Sequence, residues 1–283
     1  MKYVEYRPAP PLLTFINCFW SIEPDADEVQ PSSWDRTVPD GSLEFVVHLD
    51  EPMLRKSLDG FAAQESRAVL IGQTTRPYLI APAGRTRMLG VRFFPHTGFL
   101  FLDGPVAPFN DISVDLDAIF PRRMRLPVER AGNAGSITCA VRVLEHWCLQ
   151  RLKAISTGRR DGHFAQACRT ILHKRGGLSI TGLAGDLGIG SRHLERVFLE
   201  RSGIPPKLFA RIIRFQHALG KLTGEAAALA AVAQETGHAD QSHFVREFRR
   251  FTGLAPREFM RERHPFTQHF AEPSNSSHLY NFR

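Results

Sequence analysis

The 283-residue sequence predicts an α+β protein with a β-rich N-terminal domain, a connecting helix and an all-α C-terminal domain with two helix-turn-helix motifs. Three observations predict this fold class. Short apolar runs separated by turn residues dominate residues 1–120. A single stripe of apolar side chains at helical spacing follows. Residues 192–209 then recur as residues 242–259, in a region with helix patterns and no strand patterns.

The first 133 residues are expected to form a small sheet or barrel. Four apolar runs bounded by turn residues predict strands, at 42–50, 68–73, 78–81 and 88–94. Short strands separated by Gly and Pro signals are typical of sandwiches and barrels. Residues 115–120 predict a short helix. Residues 121–135 contain two prolines and two glycines and therefore predict a connector.

Residues 134–160 are expected to form a connecting helix. Six apolar side chains there lie three or four positions apart: Ile137, Val141, Leu144, Cys148, Leu152 and Ile155. Such a stripe can pack on its own N-terminal domain or form the seam between two chains. Because the helix would lie between two domains, we expect it to pair two chains as a homodimer. Residues 157–160 then predict a hinge into the last domain.

Positive charge is concentrated near the C-terminus. Residues from 161 onward carry 17 Lys and Arg against 11 Asp and Glu, so this region holds +6 of the formal net charge of +7. A basic domain joined to a nearly neutral one favours a polyanionic partner. Apolar runs are too short to cross a membrane, and the first residues lack the apolar core of a signal peptide. We therefore expect no membrane contact and a cytoplasmic protein with reduced cysteines.

The last domain, residues 161–264, contains an internal repeat, and residues 265–283 predict a flexible tail. At an offset of 50, six positions are identical: His193/His243, Arg196/Arg246, Phe198/Phe248, Gly203/Gly253, Pro206/Pro256 and Phe209/Phe259. Each unit predicts a helix, a turn with glycine at Gly188 or Gly237, and a second helix. Between the units, Pro205 and Gly220 bound a predicted rod-like helix.

The second helix of each unit has a polar face near its N-terminus, where a recognition helix contacts base edges. Seven side chains are the candidate DNA-binding residues: Arg192, Glu195, Arg196, Gln241, Ser242, Val245 and Arg246. Arginine can bond guanine, glutamine can bond adenine, and valine can pack on a thymine methyl. A helical bundle with a solvated polar face is the alternative. Two matched units in the basic region favour double-stranded DNA as the partner.

Residues 237–259 closely resemble the signature of the AraC/XylS family of bacterial transcriptional regulators, and the resemblance covers about residues 161–263. It implies seven helices, two helix-turn-helix units in successive major grooves, and a linker helix. It also implies a sequence-specific regulator of transcription, for which RNA polymerase is a further partner. His238 departs from the family pattern, which usually has Phe there. We expect this change to loosen the packing under the second reading helix.

The N-terminal domain resembles the cupin-like sensor domains of such regulators at residues 38–47 and 90–95. This resemblance implies control by a small-molecule effector at the N-terminal domain. Four arginines of this domain could either bind an anionic ligand or form a solvated strand face: Arg76, Arg85, Arg87 and Arg92. We expect the solvated strand face.

Two other function classes are considered. A cupin-like metal-dependent enzyme needs several His and acidic ligands close together, and residues 1–120 contain only His48 and His96. We therefore expect no enzyme, no catalytic residue, no metal and no cofactor. A nucleoid-type protein without sequence preference is the other class. Glu195, Gln241 and Val245 on the reading faces argue against it, because Glu195 would repel phosphate.

Overall fold

The structure, a computed structural model, describes residues 1–24, 34–155, 162–222 and 228–262, together with His264 and Thr267. The predicted hinge at 157–160, the predicted domain start at 161 and most of the predicted tail lie outside these residues. The domain boundaries therefore stay predictions. None of the described helices is both long and apolar enough to span a membrane.

The described elements comprise strands in the N-terminal half and helices thereafter. The strands are β1 Lys2–Tyr6, β2 Ile16–Glu23, β3 Asp35–Thr37, β4 Glu44–His48, β5 Leu54–Ser57, β6 Ala63–Gln64, β7 Ala68–Ile71, β8 Tyr78–Ala81, β9 Met88–Phe93 and β10 Ser113–Asp115. The helices are α1 Leu116–Ile119, α2 Arg125–Gly132, α3 Ile137–Ala154, α4 Gly162–His173, α5 Ile180–Asp186, α6 Ser191–Arg201, α7 Pro206–Lys221, α8 Leu229–Glu235, α9 Gln241–Thr252 and α10 Pro256–Arg261. The α+β class is confirmed, and seven helices follow residue 161 in the described part of the chain.

The strands form two antiparallel sheets. The larger sheet has the order β1-β2-β9-β4-β7-β10, and the smaller has the order β3-β8-β5-β6. The four predicted strands are β4, β7, β8 and β9. Sequence reasoning missed β2, because six of its eight residues are buried and both faces are covered, so no alternation is visible.

The central strands separate two apolar layers, because successive side chains point to opposite faces of a sheet. Phe45 and Val91 lie on the face that packs on the helices, and the Phe45 ring is 5.7 Å from that of Trp147 in α3. Val46 and Trp20 lie on the other face, between the two sheets. The larger sheet therefore has no solvated face at its centre.

The arginine face of the N-terminal domain differs from the prediction. Arg92 is only 3% exposed, and its Nε donates to Glu44 Oε1 at 2.5 Å. These two residues are register partners on β9 and β4 and point into the space between the sheets. The prediction of a solvated strand face is therefore wrong for Arg92. Arg76 is exposed as expected, and Arg87 is half-buried and paired with Asp50 at 2.8 Å.

The predicted connector at 121–135 is also wrong, because α2 occupies most of it. Pro127 is the third residue of α2, where the backbone N–H has no partner within the helix and a proline is tolerated. Val128 and Ala131 are buried in the core, and α2 packs on α3. Tertiary packing therefore sustains a helix that the two prolines and two glycines argued against.

Helix α3 confirms the predicted helix but not the predicted dimer seam. Ser136 caps it by accepting a hydrogen bond from the backbone N–H of Cys139. Four of the six stripe residues are buried in the core of their own chain: Ile137, Val141, Leu144 and Cys148. Leu152 and Ile155 pack against the same core. The alternative interpretation is therefore correct for this stripe, and a homodimer stays a prediction without this seam.

One apolar core continues from the N-terminal domain into the C-terminal helices. The Phe99 ring lies 5.7 Å from that of Phe164 in α4. Asn110 donates its side-chain N–H to the carbonyl of Gly203 at 2.7 Å. The two halves of the described chain are thus joined by both apolar packing and hydrogen bonds.

We expect Leu144→Ala to lower the free energy of unfolding by about 2–5 kcal/mol, because it opens a cavity at a side chain that is only 1% exposed. Leu126→Ala, at a leucine that is 51% exposed, is the matched control and should change it by less than about 0.5 kcal/mol. Urea unfolding followed by circular dichroism measures both. If the Leu144→Glu chain instead stays folded and is a monomer, Leu144 lies in a seam between two chains, and the interpretation of α3 as a dimer seam is correct.

Candidate nucleic-acid interface

The turns of the two helix-turn-helix units have the same backbone geometry. Gly188, between α5 and α6, has φ of +68°, and Gly237, between α8 and α9, has φ of +70°. Glycine reaches this left-handed region without the steric cost that other residues meet. The predicted requirement for positive φ at both glycines is therefore confirmed.

The reading helices α6 and α9 begin where the sequence predicted. Gly190 is the N-cap of α6. Asp240 is the N-cap of α9, and its carboxylate accepts a hydrogen bond from the backbone N–H of His243 at 2.6 Å. Each helix buries its predicted apolar face, which consists of Leu194, Val197 and Phe198 in α6 and of Phe244, Phe248 and Phe251 in α9.

The seven predicted reading residues lie in the first two turns of these helices. Six of them are exposed: Arg192, Glu195, Arg196, Gln241, Ser242 and Arg246. Val245 is half-buried and packs partly against the core. The structure places Arg192, Glu195 and Arg196 together on α6 and the other four together on α9. Arg196 and Arg246 occupy equivalent positions, since each is the sixth residue of its helix.

The two equivalent arginines differ in their neighbours. Arg196 donates to Glu200 Oε1 at 2.8 Å, and its Nη2 is 3.3 Å from His193 Nδ1. Both partners of the Arg196–Glu200 pair are about half exposed, so the pair is weak and can be exchanged for another acceptor. Arg246 has no ion pair within the described ranges. Both guanidinium groups are therefore available to a ligand.

Helix α7 is the rod that supports both reading helices. Its 16 residues span about 24 Å at 1.5 Å per residue. The Phe209 ring lies 5.8 Å from Phe198 of α6, and the Phe215 ring lies 5.5 Å from Phe248 of α9. Because α6 and α9 both pack on this helix, their separation and relative direction depend on it.

Glu247 joins α9 to α7, and sequence reasoning missed it. This side chain is only 3% exposed, although it is an acid. Its carboxylate accepts hydrogen bonds from Arg211 at 2.8 Å and from Arg214 at 2.9 Å, both on α7. An acid on the apolar face of a predicted helix, next to Phe248, was the signal that could have found it. Val197 occupies the equivalent position in the first unit.

The Glu247 carboxylate is ionised in this setting. Burial raises its pKa, but hydrogen bonds from His238, Arg211 and Arg214 outweigh burial and lower the pKa to about 2. A buried ion pair is stable only when every partner is present, so the Glu247 carboxylate depends on both arginines.

His238 does not loosen the packing under α9, contrary to the expectation. It is buried, its Nδ1 lies 2.8 Å from Thr236 Oγ1, and its Nε2 lies 3.4 Å from Glu247 Oε1. Its ring lies 5.2 Å from that of Phe244. Histidine thus keeps an aromatic ring at this position and satisfies two polar neighbours that phenylalanine could not.

A basic cleft of about 610 Å³ lies between the two units. Lys207, Arg211 and Arg214 of α7 line it, together with Ser179 and His243. Glu247 is the one acid in this lining among the described residues, and it is engaged by the two arginines. The cleft therefore offers Lys207 as an exposed cation near α5 and α9.

A second candidate site is a cavity of about 90 Å³ between the two sheets, called here the inter-sheet cavity. Trp20 and Met88 belong to its apolar lining. Helix α7 contributes Gln216 and Leu219 to the same lining. The side-chain amide of Gln216 donates to the carbonyl of Pro39 at 2.5 Å, so α7 is tied to the rim of the cavity.

The polar lining of the inter-sheet cavity contains few free groups. Burial lowers the pKa of Arg92, but Glu44 together with Tyr3, Cys18 and Asp40 outweighs burial and raises this pKa well above its usual value. The Ser42 hydroxyl and His48 Nδ1 have no hydrogen-bond partner among the described residues. His48 Nε2 lies 3.1 Å from Glu65 Oε2. The cavity therefore presents two unpartnered polar atoms beside its carboxylates, and its arginine is already paired.

A metal site with two histidines in residues 1–120 would have to pair His48 with His96. His48 lines the inter-sheet cavity, whereas His96 is not in that lining and stacks 5.7 Å from the Phe94 ring. Among the residues that the structure describes, no three His, Cys, Asp or Glu side chains are placed to hold a metal ion. The geometry thus offers this pairing no support.

Two protein families match parts of the chain. Residues 4–115 match the family described as "Domain of unknown function (DUF6597)". Residues 183–262 match the family described as "Helix-turn-helix domain". The second match includes both reading helices and the rod between them.

Relatives with a curated description match 119 residues of the chain. An uncharacterized HTH-type transcriptional regulator from Staphylococcus aureus strain MSSA476 is 27% identical over 119 residues, which are 42% of this chain and 16% of the relative. A counterpart from strain COL gives the same identity and coverage. The match therefore spans less than a fifth of the length of these relatives.

Two solved structures are distantly similar. ToxT from Vibrio cholerae strain SCE256, with an unsaturated fatty acid bound, is 13% identical, with a TM-score of 0.43, 82% of this chain covered and 91% of that chain. A probable AraC family transcriptional regulator from Rhodopseudomonas palustris CGA009 is 28% identical, with a TM-score of 0.30, 34% of this chain covered and 95% of that chain.

We expect Glu247→Gln to lower the free energy of unfolding at pH 7 by about 3 kcal/mol, because it leaves two arginines without their carboxylate. The folded pKa, about 2, lies below the unfolded value of about 4.3. Glu247 therefore stabilises fully above the unfolded value, and this contribution is lost as the pH falls toward 2.

Urea unfolding between pH 2 and pH 7 measures this effect as the difference between the two chains. Glu129→Gln, at an exposed acid of α2, is the matched control and should stay within about 0.5 kcal/mol of the original protein. A difference between the Glu247→Gln chain and the original that does not shrink at low pH would show that Glu247 does not act as a carboxylate.

Proposed function

Because residues 183–262 form a helix-turn-helix domain of the AraC type, we propose that this chain is a sequence-specific DNA-binding regulator of transcription. The observation that carries the proposal is the matched pair of reading helices, α6 and α9, which α7 supports as one body. Each presents exposed polar side chains in its first two turns, where recognition helices enter the major groove. Two such helices on one rod suit successive major grooves on one face of the duplex.

Each reading helix offers a different set of base contacts. On α6, Arg196 can bond guanine through two N–H groups, and Glu195 can accept from a cytosine amine. On α9, Gln241 can bond adenine, and Val245 can pack on a thymine methyl. This mixture supports sequence-specific recognition over a nucleoid-type role, since a protein that only neutralises phosphates has no use for Glu195.

The phosphate backbone between the two grooves is proposed to lie along the basic cleft. Lys207 is exposed there, and Arg211 and Arg214 are half-buried beside it. Backbone contacts fix the register of a protein on DNA without reading its sequence. The cleft would thus set how deeply α6 and α9 enter their grooves.

The proposal includes no catalytic activity, since the matched relatives are transcriptional regulators. RNA polymerase and a second copy of the chain stay predicted partners.

The inter-sheet cavity is the proposed effector site. A compact, mostly apolar molecule in it would touch strands of both sheets and also Gln216 and Leu219 of α7. If a ligand binds more tightly when α7 has one orientation than when it has another, it shifts α7 toward that orientation. The reading helices that pack on α7 then shift with it.

We expect Arg196→Ala and Arg246→Ala each to cost about 1–3 kcal/mol of binding energy on the specific DNA site and to relax preference at one or two base pairs. Binding to the specific site and to random DNA is compared by fluorescence anisotropy. Arg76→Ala, at an exposed arginine of the N-terminal domain, is the matched control and should bind as the original does. Equal losses on specific and random DNA would show that the two arginines contact only phosphate.

Salt should weaken DNA binding steeply. We expect log K to fall linearly with log salt, with a slope of about −0.9 for each phosphate neutralised. Lys207→Ala should make the slope shallower by about one such contact, because this cation is exposed in the basic cleft. The measurement is a titration of DNA binding at several salt concentrations. An affinity that does not change with salt would contradict backbone contact.

Ligands of the inter-sheet cavity should stabilise the folded chain. In a thermal-shift screen of small apolar molecules with one polar group, a ligand at 100 times its Kd should add about 2.7 kcal/mol. Ser42→Leu fills the cavity from the side of an unpartnered hydroxyl and should abolish the shift. Ser57→Leu, at an exposed serine of β5, is the matched control. Ligands that stabilise the Ser42→Leu chain equally would place the effector elsewhere.

A further inference from the structure

A groove of about 450 Å³ lies between α2 and α3 on the surface of the N-terminal domain. Its apolar lining consists of Leu126, Pro127, Val143 and Trp147. The two helices pack on each other below it through the buried residues Val128 and Leu144. The proposed DNA contacts and the inter-sheet cavity involve none of these side chains.

Four arginines surround this groove: Arg122, Arg123, Arg130 and Arg142. All four are exposed, the lining contains no Asp or Glu, and none of the four has an ion pair with another described residue. Arg125 on the same helix lies outside the lining and is paired with Glu129 at 3.0 Å. Four like charges around one groove repel one another and favour an anionic occupant.

Apolar side chains in the same groove are exposed to solvent. Leu126 is 51% exposed, which is unusual for a large apolar residue of this chain. Trp147 is half-buried, and its ring is held from below by Phe120 at 5.4 Å and by Phe45 at 5.7 Å. Tryptophan and arginine are among the side chains that contribute most binding energy at protein interfaces, and here a rigid tryptophan lies next to arginines.

Three occupants fit a basic surface, and the groove distinguishes them. A DNA backbone presents phosphates and sugars and would leave Leu126 and Trp147 without an apolar partner. A second copy of this chain, paired symmetrically, would bring the same arginines against one another. We propose that the α2–α3 groove docks an acidic segment of another protein, which places an apolar side chain on Trp147 and carboxylates on the surrounding arginines.

The role of this partner rests on the proposed function. A chain bound at its operator would use the α2–α3 groove to hold a second protein beside the DNA, while α6 and α9 remain in the major grooves of the DNA. Arg130 and Arg142 lie on different helices, α2 and α3, so an acidic segment lying across the groove would meet both. Bidentate guanidinium–carboxylate pairs give such contacts direction as well as charge.

The test selects a displayed library of random peptides of about 16 residues on the full chain, with counterselection on the R130E/R142E chain. We expect the enriched peptides to carry net negative charge and at least one Trp, Phe or Leu. Binding of an enriched peptide, measured by fluorescence anisotropy, should weaken at least about tenfold in R130E/R142E and in L126D. R125E, which makes the same kind of charge change outside the lining, should alter it less than about twofold.

Three results would overturn the proposal. Enrichment of peptides without negative charge would contradict an acidic occupant. An equal loss in R125E would show attraction to net charge alone. A loss of DNA affinity in R130E/R142E that parallels the loss of peptide binding would assign the groove to DNA. Circular dichroism verifies that each variant is folded. Failure of the original chain to bind a specific DNA site would defeat the proposed function, whereas the peptide result would stand on its own.

Discussion

The packing of helix α7 against both reading helices is the constraint on which the rest of the structure depends. Its phenylalanines Phe209 and Phe215 contact Phe198 of α6 and Phe248 of α9. A reading helix recognises bases only if it is held at the depth and angle of a groove, and neither helix-turn-helix unit alone is large enough to supply a core. The rod therefore holds two small units as one body with a defined spacing, as the proposed reading of two grooves requires.

The two units are attached to this rod in different ways, although their sequences repeat. The first unit packs on the rod through Phe198 and has the buried Val197 where the second has Glu247, so its attachment is apolar. The second has Glu247 there, with Arg211 and Arg214 across from it. Apolar contacts tolerate small shifts, whereas a buried carboxylate loses much of its stabilisation when either arginine moves. The orientation of α9 on the rod is therefore specified more narrowly than that of α6.

The same rod contacts the N-terminal domain. Gln216 bonds to Pro39, and Gln216 and Leu219 both line the inter-sheet cavity. A change in the contents of that cavity would thus act on the element that spaces the reading helices, with no intervening linker. The α2–α3 groove lies on a different surface and shares no lining residue with this cavity. The structure therefore separates the three surfaces that are proposed here to bind DNA, a small molecule and a protein.

The sequence by itself determined the local features of this protein. Glycine at Gly188 and Gly237, the cap at Asp240 and the apolar faces of α6 and α9 each follow from short-range chemistry, and the repeat predicted which residues would read DNA. Only the tertiary structure decided which side a stripe faces and which charges are buried. The stripe of α3 has the spacing of a dimer seam, yet Leu144 and Cys148 fill the core of their own chain. Helix α2 forms despite Pro127 because α3 covers its apolar side. Glu247 and Arg92 are charged residues whose partners a linear pattern does not identify. Their partners lie 33 to 48 positions away along the chain, so only folding could bring each charge to the group that makes its burial stable.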